Sequence, residues 1–164
     1  MSLGTALGDG GVQVAGVPRD DGVEDEAEGG ELRQLLRWVS AGHPTPVLVR
    51  DGRATSLPSP PGGPGLPLGV LPGTSYTADE TPLRIGDIVL IYSDGLTERR
   101  DGDPDLDTLR FLDAAESSLR TAAPGPVREG LHAYAEHLVA RLDGPHRSDD
   151  ATLLALRRIA PHSG

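Results

Sequence analysis

Apolar residues in this chain gather into short blocks divided by glycine, proline and aspartate. Ile88-Val89-Leu90-Ile91-Tyr92 is apolar at every position, which predicts a strand covered on both faces. It runs directly into Ser93-Asp94-Gly95-Leu96-Thr97-Glu98. A second apolar block, 151–159, follows directly on Arg147-Ser148-Asp149-Asp150. Two buried strands that each hold an acid at one end can aim carboxylates at a single cation, and hard divalent ions take oxygen ligands of this type. Upstream, Val47-Leu48-Val49-Arg50, Asp51-Gly52 and 54–57 read as an antiparallel hairpin. Leu32, Leu35, Leu36 and Val39 fit a short helix, while Arg37-Trp38-Val39-Ser40 fits a strand entering the turn Ala41-Gly42-His43-Pro44. Segment 58–67 is a Pro/Gly loop that cannot sit inside a sheet. A further strand is expected around 75–78, and Leu83-Arg84-Ile85-Gly86-Asp87 reads as a turn into the apolar block at 88.

Two helices fit between the acidic strand ends. The first starts at Asp103-Pro104, an N-cap aspartate followed by proline at the first helical position. Leu106, Leu109, Leu112 and Leu119 supply most of its apolar stripe. The second places Val127, Leu131, Tyr134, Leu138 and Leu142 on one face and stops at Gly144-Pro145. The pattern predicts an α/β (α+β) chain with helices covering a mostly antiparallel sheet.

Composition narrows the rest. The 164 residues suit one compact domain, but Gly 22 and Pro 15 together exceed a fifth of the chain and leave room for only a small core. Residues 1–30 are acidic and glycine-rich with few bulky apolar groups, so a flexible segment is expected there, an ordered domain over 31–159, and a flexible tail at 160–164. The net charge of −10 and the scattered arginines argue against nucleic acid as a partner. No apolar run reaches bilayer length and the first residues lack a signal-peptide pattern, so a cytoplasmic protein without membrane attachment is expected. The absence of cysteine excludes disulfides and thiolate chemistry.

Asp94-Gly95 alone would read as a turn, and Asp149-Asp150 alone as solvated acids, although two like charges against a buried strand are costly without a cation. Their order along the chain is more specific. Ala41-Gly42-His43-Pro44, Pro67-Leu68-Gly69-Val70, Gly86-Asp87, Tyr92-Ser93-Asp94-Gly95-Leu96-Thr97-Glu98 and Ser148-Asp149-Asp150-Ala151-Thr152 follow one another. This series resembles the metal-dependent PPM-type (protein phosphatase 2C-like) serine/threonine phosphatases, in the bacterial SpoIIE subfamily, across roughly 31–159. The resemblance implies an αββα sandwich of which this chain carries the C-terminal portion. It also implies hydrolysis of phosphoserine or phosphothreonine by a water activated at two Mn2+ or Mg2+ ions, with one or none as alternatives for this chain. The implied phosphoprotein partner is, by analogy, an anti-sigma-factor antagonist.

By the same resemblance Asp94 and Asp149 match metal aspartates, while Asp150 and Gly95 are supporting residues. No side chain is assigned as nucleophile. His43 is read as a turn former and Glu98 as a local acceptor; His132 and His137 lack zinc-helix spacing. The family also carries an upstream strand ending in Gly-Asp, whose aspartate bridges the two ions. Gly8-Asp9-Gly10-Gly11 matches it superficially, without a preceding apolar strand, so Asp9 is the weakest member of the set. An open sheet edge would follow from missing upstream strands and would favour self-association. Two further readings stand beside the phosphatase: a truncated, non-catalytic remnant or regulatory pseudophosphatase, and a purely structural acidic α/β protein.

Overall fold

The computed structural model describes residues 34–59, 63, 65–97, 102–121, 127–142 and 151–160, with side chains undescribed at 121 and 127–129. Asp9, Glu98, Asp149 and Asp150, the acidic segment at 1–30 and the Gly144-Pro145 stop lie outside the described residues. The chain divides into two compact units, one formed by residues up to 42 and 59–84, the other by 43–58 and 85 onward.

In the first unit, β1 (Gln34–Trp38) pairs antiparallel with β4 (Asp79–Leu83), Gln34 opposite Leu83 and Trp38 opposite Asp79. Of the two readings of the 32–39 block, the strand is the one formed. Leu36 and Trp38 are buried while Leu35 and Arg37 are exposed, the period of two that a pleated strand imposes. The strand expected around 75–78 lies later, at Asp79–Leu83. Its polar sequence carries no strand signal of its own, and cross-strand pairing with β1 overrides local propensity.

Gly42 takes a φ of +80°, and a Cβ there would stand 2.7 Å from Cγ of Pro67, so the Ala-Gly-His-Pro and Pro-Leu-Gly-Val segments meet where only glycine fits. Tyr76 Oη donates to the Leu66 carbonyl at 3.0 Å across the same loop. We expect Gly42→Ala to cost about 1–3 kcal/mol in a urea melt, from left-handed backbone strain plus the clash. Gly52→Ala, with the same φ and open space around it, should cost visibly less.

The second unit is an antiparallel sheet in the order β3-β2-β5-β6, where β2 is Val47–Arg50, β3 Arg53–Ser56, β5 Ile88–Tyr92 and β6 Leu153–Arg157. The hairpin between β2 and β3 turns at Asp51 and Gly52, both at positive φ, the two-residue geometry that matches strand twist. Helices α1 (Pro104–Thr121) and α2 (Val127–Leu142) pack on one face. That face presents Val47, Val49, Ala54, Ile88, Leu90 and Tyr92 to Phe111, Ala114, Ala115, Tyr134 and Leu138. Tyr92 and Phe111 stack with ring centroids 4.0 Å apart. Burial pushes the Tyr134 phenol far above its ordinary range, and its O–H donates to the Ala115 carbonyl at 3.2 Å.

The α1 stripe departs from the leucine pattern. Leu106 and Leu109 are half or more exposed, and the buried face is Phe111, Ala114, Ala115 and Ser118, flanked by Leu112 and Leu119. Small residues there let the helix approach the sheet closely, while its outer face mixes Leu106 and Leu109 with Asp105, Arg110, Asp113 and Arg120. The expected start does hold: Asp103 Oδ1 accepts the Asp105 N–H at 2.9 Å, an N-cap bond, ahead of Pro104 at the first position. Farther along α1, Glu116 Oε1 accepts the Ala54 N–H of edge strand β3 at 3.0 Å, satisfying a group that an edge would leave open.

Every residue of β5 except half-buried Ile91 is buried, as its unbroken apolar run predicts. At its start Asp87, 3% exposed, is paired with Arg50 from β2: Nε lies 3.0 Å from Oδ1 and Nη2 2.6 Å from Oδ2. The hydrogen bond to Asp87 is the main reason the Arg50 guanidinium is pushed above its ordinary pKa.

Candidate metal centre

At the other end of β5 the ladder with β6 continues beyond Tyr92 opposite Leu153. Ser93 N–H donates to the Thr152 carbonyl at 3.0 Å, and Thr152 N–H donates to Ser93 Oγ at 2.9 Å. The chain then turns at once into a short 3-10 segment, Asp94–Leu96. Leu96 N–H donates to the Ser93 carbonyl at 3.0 Å and Thr97 N–H to the Asp94 carbonyl at 2.8 Å. Leu96 is buried in the core under the helices, so the turn is anchored from below.

Asp94 is exposed at this strand end. Its Oδ1 accepts the N–H of buried Gly95 at 2.8 Å, which fixes the carboxylate against its own backbone. The Asp94-Gly95 step is therefore unlike Asp51-Gly52: Gly95 sits in a right-handed 3-10 turn rather than a left-handed one. An exposed, locally oriented carboxylate at the tip of a buried strand fits a hard cation by donor chemistry, because it supplies an anionic oxygen and has no ion-pair partner among the described residues. Among the described residues no three His, Asp or Glu side chains converge.

His43 lies half-buried at the bend that joins the units in sequence. His132 is on α2, with Nε2 3.3 Å from Glu136 Oε1, both well exposed, and His137 is exposed on the same helix. A shallow groove of about 530 Å³ on the helix layer is lined by Leu106, Leu109, Arg110, Asp113, Arg141 and Leu142, and none of the motif residues contributes to it. What the sequence alone did not disclose is the double hydrogen bond at Ser93. Its hydroxyl and its partner Thr152 both stand inside the quoted motifs, yet only strand register brings them together.

The chain matches the profile of the Stage II sporulation protein E (SpoIIE) family over residues 31–159. It belongs to that family. A structure of the RsbU and RsbW domains of Rv1364c from Mycobacterium tuberculosis is 33% identical, with a TM-score of 0.65, covering 78% of this chain and 34% of that one. The phosphatase domain of the cell fate determinant SpoIIE from Bacillus subtilis, presoaked with Mn, superposes with a TM-score of 0.51 at 13% identity and shows the shared fold, over 80% of this chain and 54% of that one. Protein IcfG from Synechocystis sp. is 27% identical over 124 residues, 75% of this chain and 18% of that protein. The chain thus spans about half of a solved phosphatase domain and a smaller share of the longer relatives. Its helices and antiparallel sheets are those of a PPM phosphatase fold. Among the described residues no helix is long and apolar enough to cross a membrane.

Proposed function

We propose that this chain is part of a metal-dependent protein serine/threonine phosphatase, with Asp94 and Asp149 holding Mn2+ or Mg2+ and Asp150 and Gly95 supporting them. The observation that carries this reading is the exposed Asp94 carboxylate, fixed at the end of buried strand β5, in a chain of the SpoIIE family. When bound, such ions lower the pKa of water and neutralise charge on phosphoryl oxygens. The chain's part is to present hard oxygen donors on rigid strand ends. The substrate class is a phosphoserine or phosphothreonine protein, by family analogy an anti-sigma-factor antagonist.

A second reading is a phosphatase-fold module that binds metal or a phosphoprotein without hydrolysing it. It is favoured by the described residues, among which no three His, Asp or Glu side chains converge. Phosphate release from a phosphoserine peptide separates the two. The phosphatase reading expects release that needs Mn2+, stops with a chelator and resumes when Mn2+ is restored. Stoichiometric Mn2+ binding without release would favour the module, and release indifferent to the chelator would sink the metal assignment.

A further inference from the structure

In a hydrogen-bonded antiparallel pair each residue gives its N–H to the other's carbonyl. The last pair of the β5–β6 ladder breaks this rule on one side. Ser93 N–H reaches the Thr152 carbonyl, but the return bond from Thr152 N–H ends on Ser93 Oγ, not on the Ser93 carbonyl. That carbonyl has been diverted: it accepts Leu96 N–H at 3.0 Å and closes the turn containing Asp94. The Ser93 backbone is still extended, with φ −82° and ψ 155°, so the change of direction falls immediately after it.

We infer that Ser93 is a positioning residue, whose hydroxyl takes over its own carbonyl's place in the β5–β6 ladder so that the carbonyl can close the turn that holds Asp94. Without a side-chain acceptor at position 93, Thr152 N–H is left to the Ser93 carbonyl, which is aimed at Leu96 N–H in the turn rather than across the ladder. Either Thr152 N–H loses its partner and the ladder frays, or the turn opens and Asp94 swings. Serine or threonine satisfies both demands; alanine and valine satisfy only one. The clamp joins the Asp94 turn to the start of β6, two residues after Asp150 in the sequence. The inference rests on the metal reading of Asp94 proposed above, and groups that orient a ligand matter for affinity nearly as much as the ligand itself.

The test uses the 164-residue chain and two measurements: amide exchange at Thr152, and Mn2+ affinity by electron paramagnetic resonance, corrected for folded fraction. Ser93→Ala should speed Thr152 exchange and weaken Mn2+ binding about 10-fold, and Ser93→Thr should restore both. If Ser93→Ala folds poorly, Ser93→Val against Ser93→Thr makes the same comparison with isosteric side chains. Faster exchange with unchanged Mn2+ affinity would overturn the positioning role and leave Ser93 a strand-end residue. Unchanged exchange would overturn the clamp itself. If the unsubstituted chain holds no Mn2+, or Asp94→Asn holds it equally well, the metal reading fails and the positioning role falls with it. That outcome is distinct from failure of the clamp, because exchange at Thr152 is read without metal.

Discussion

Asp94→Asn is expected to remove Mn2+ binding and Mn2+-dependent phosphate release while leaving the urea midpoint nearly unchanged. The amide keeps an oxygen in place of Oδ1, so the bond from Gly95 N–H, 2.8 Å in the native turn, can survive. What disappears is the anionic charge that a hard cation requires. The side chain is exposed, and exposed polar substitutions outside caps and networks stay within about 0.5 kcal/mol. Asp94→Ala should be equally inactive but less stable by about 1 kcal/mol, because it also removes the acceptor for a buried glycine's N–H. The pair of variants separates charge from scaffold. Phosphate release that survives in both would exclude Asp94 as a ligand.

At the opposite end of β5 the largest stability effect is expected from Arg50→Met. Asp87 is 3% exposed, and its carboxylate is bracketed by the guanidinium at 3.0 and 2.6 Å. Removing only the arginine takes this double hydrogen bond from a carboxylate that water barely reaches, and breaking a buried pair costs about 3–5 kcal/mol. The Arg50 side chain is 26% exposed, so some solvent can relax around the gap and the lower figure is the better expectation. A double variant, Arg50→Met with Asp87→Leu, should regain much of the loss, because replacing both partners by apolar groups leaves no charge to bury. Urea unfolding of the two variants decides this. Equal destabilisation in single and double variants would mean that packing around the pair, not its charge, sets the cost.

These two ends of β5 show what can be read from sequence and what cannot. The strand itself was legible because its apolar run is continuous, and the Asp51-Gly52 hairpin and the Asp103-Pro104 helix start were legible because each is a local device. The buried face of α1 was not. Of the expected leucines, Leu112 and Leu119 flank the core and Leu106 and Leu109 face outward, while Phe111, Ala114, Ala115 and Ser118 meet the sheet, a demand for small residues that exists only once the sheet is there. β4 was displaced for a related reason, since a polar segment becomes a strand by pairing with β1. At the candidate site, Asp94 stood out as an acid at a strand end. Its support did not, because Ser93 and Thr152 lie 59 positions apart, as Arg50 and Asp87 lie 37 apart, and register alone couples them.

Trp38 gives the two units separate optical voices. It is the chain's single tryptophan, fully buried in the unit built on β1 and β4, with no hydrogen-bond partner for Nε1 among the described residues. Both helices belong to the other unit. Indole fluorescence therefore follows the first unit, and far-ultraviolet circular dichroism at helical wavelengths follows the second. Coincidence of the two transitions is the standard criterion for a single cooperative step, so one denaturant titration on the unmodified chain reads out whether the Gly42–Pro67 loop and the strand bearing Asp94 are lost together.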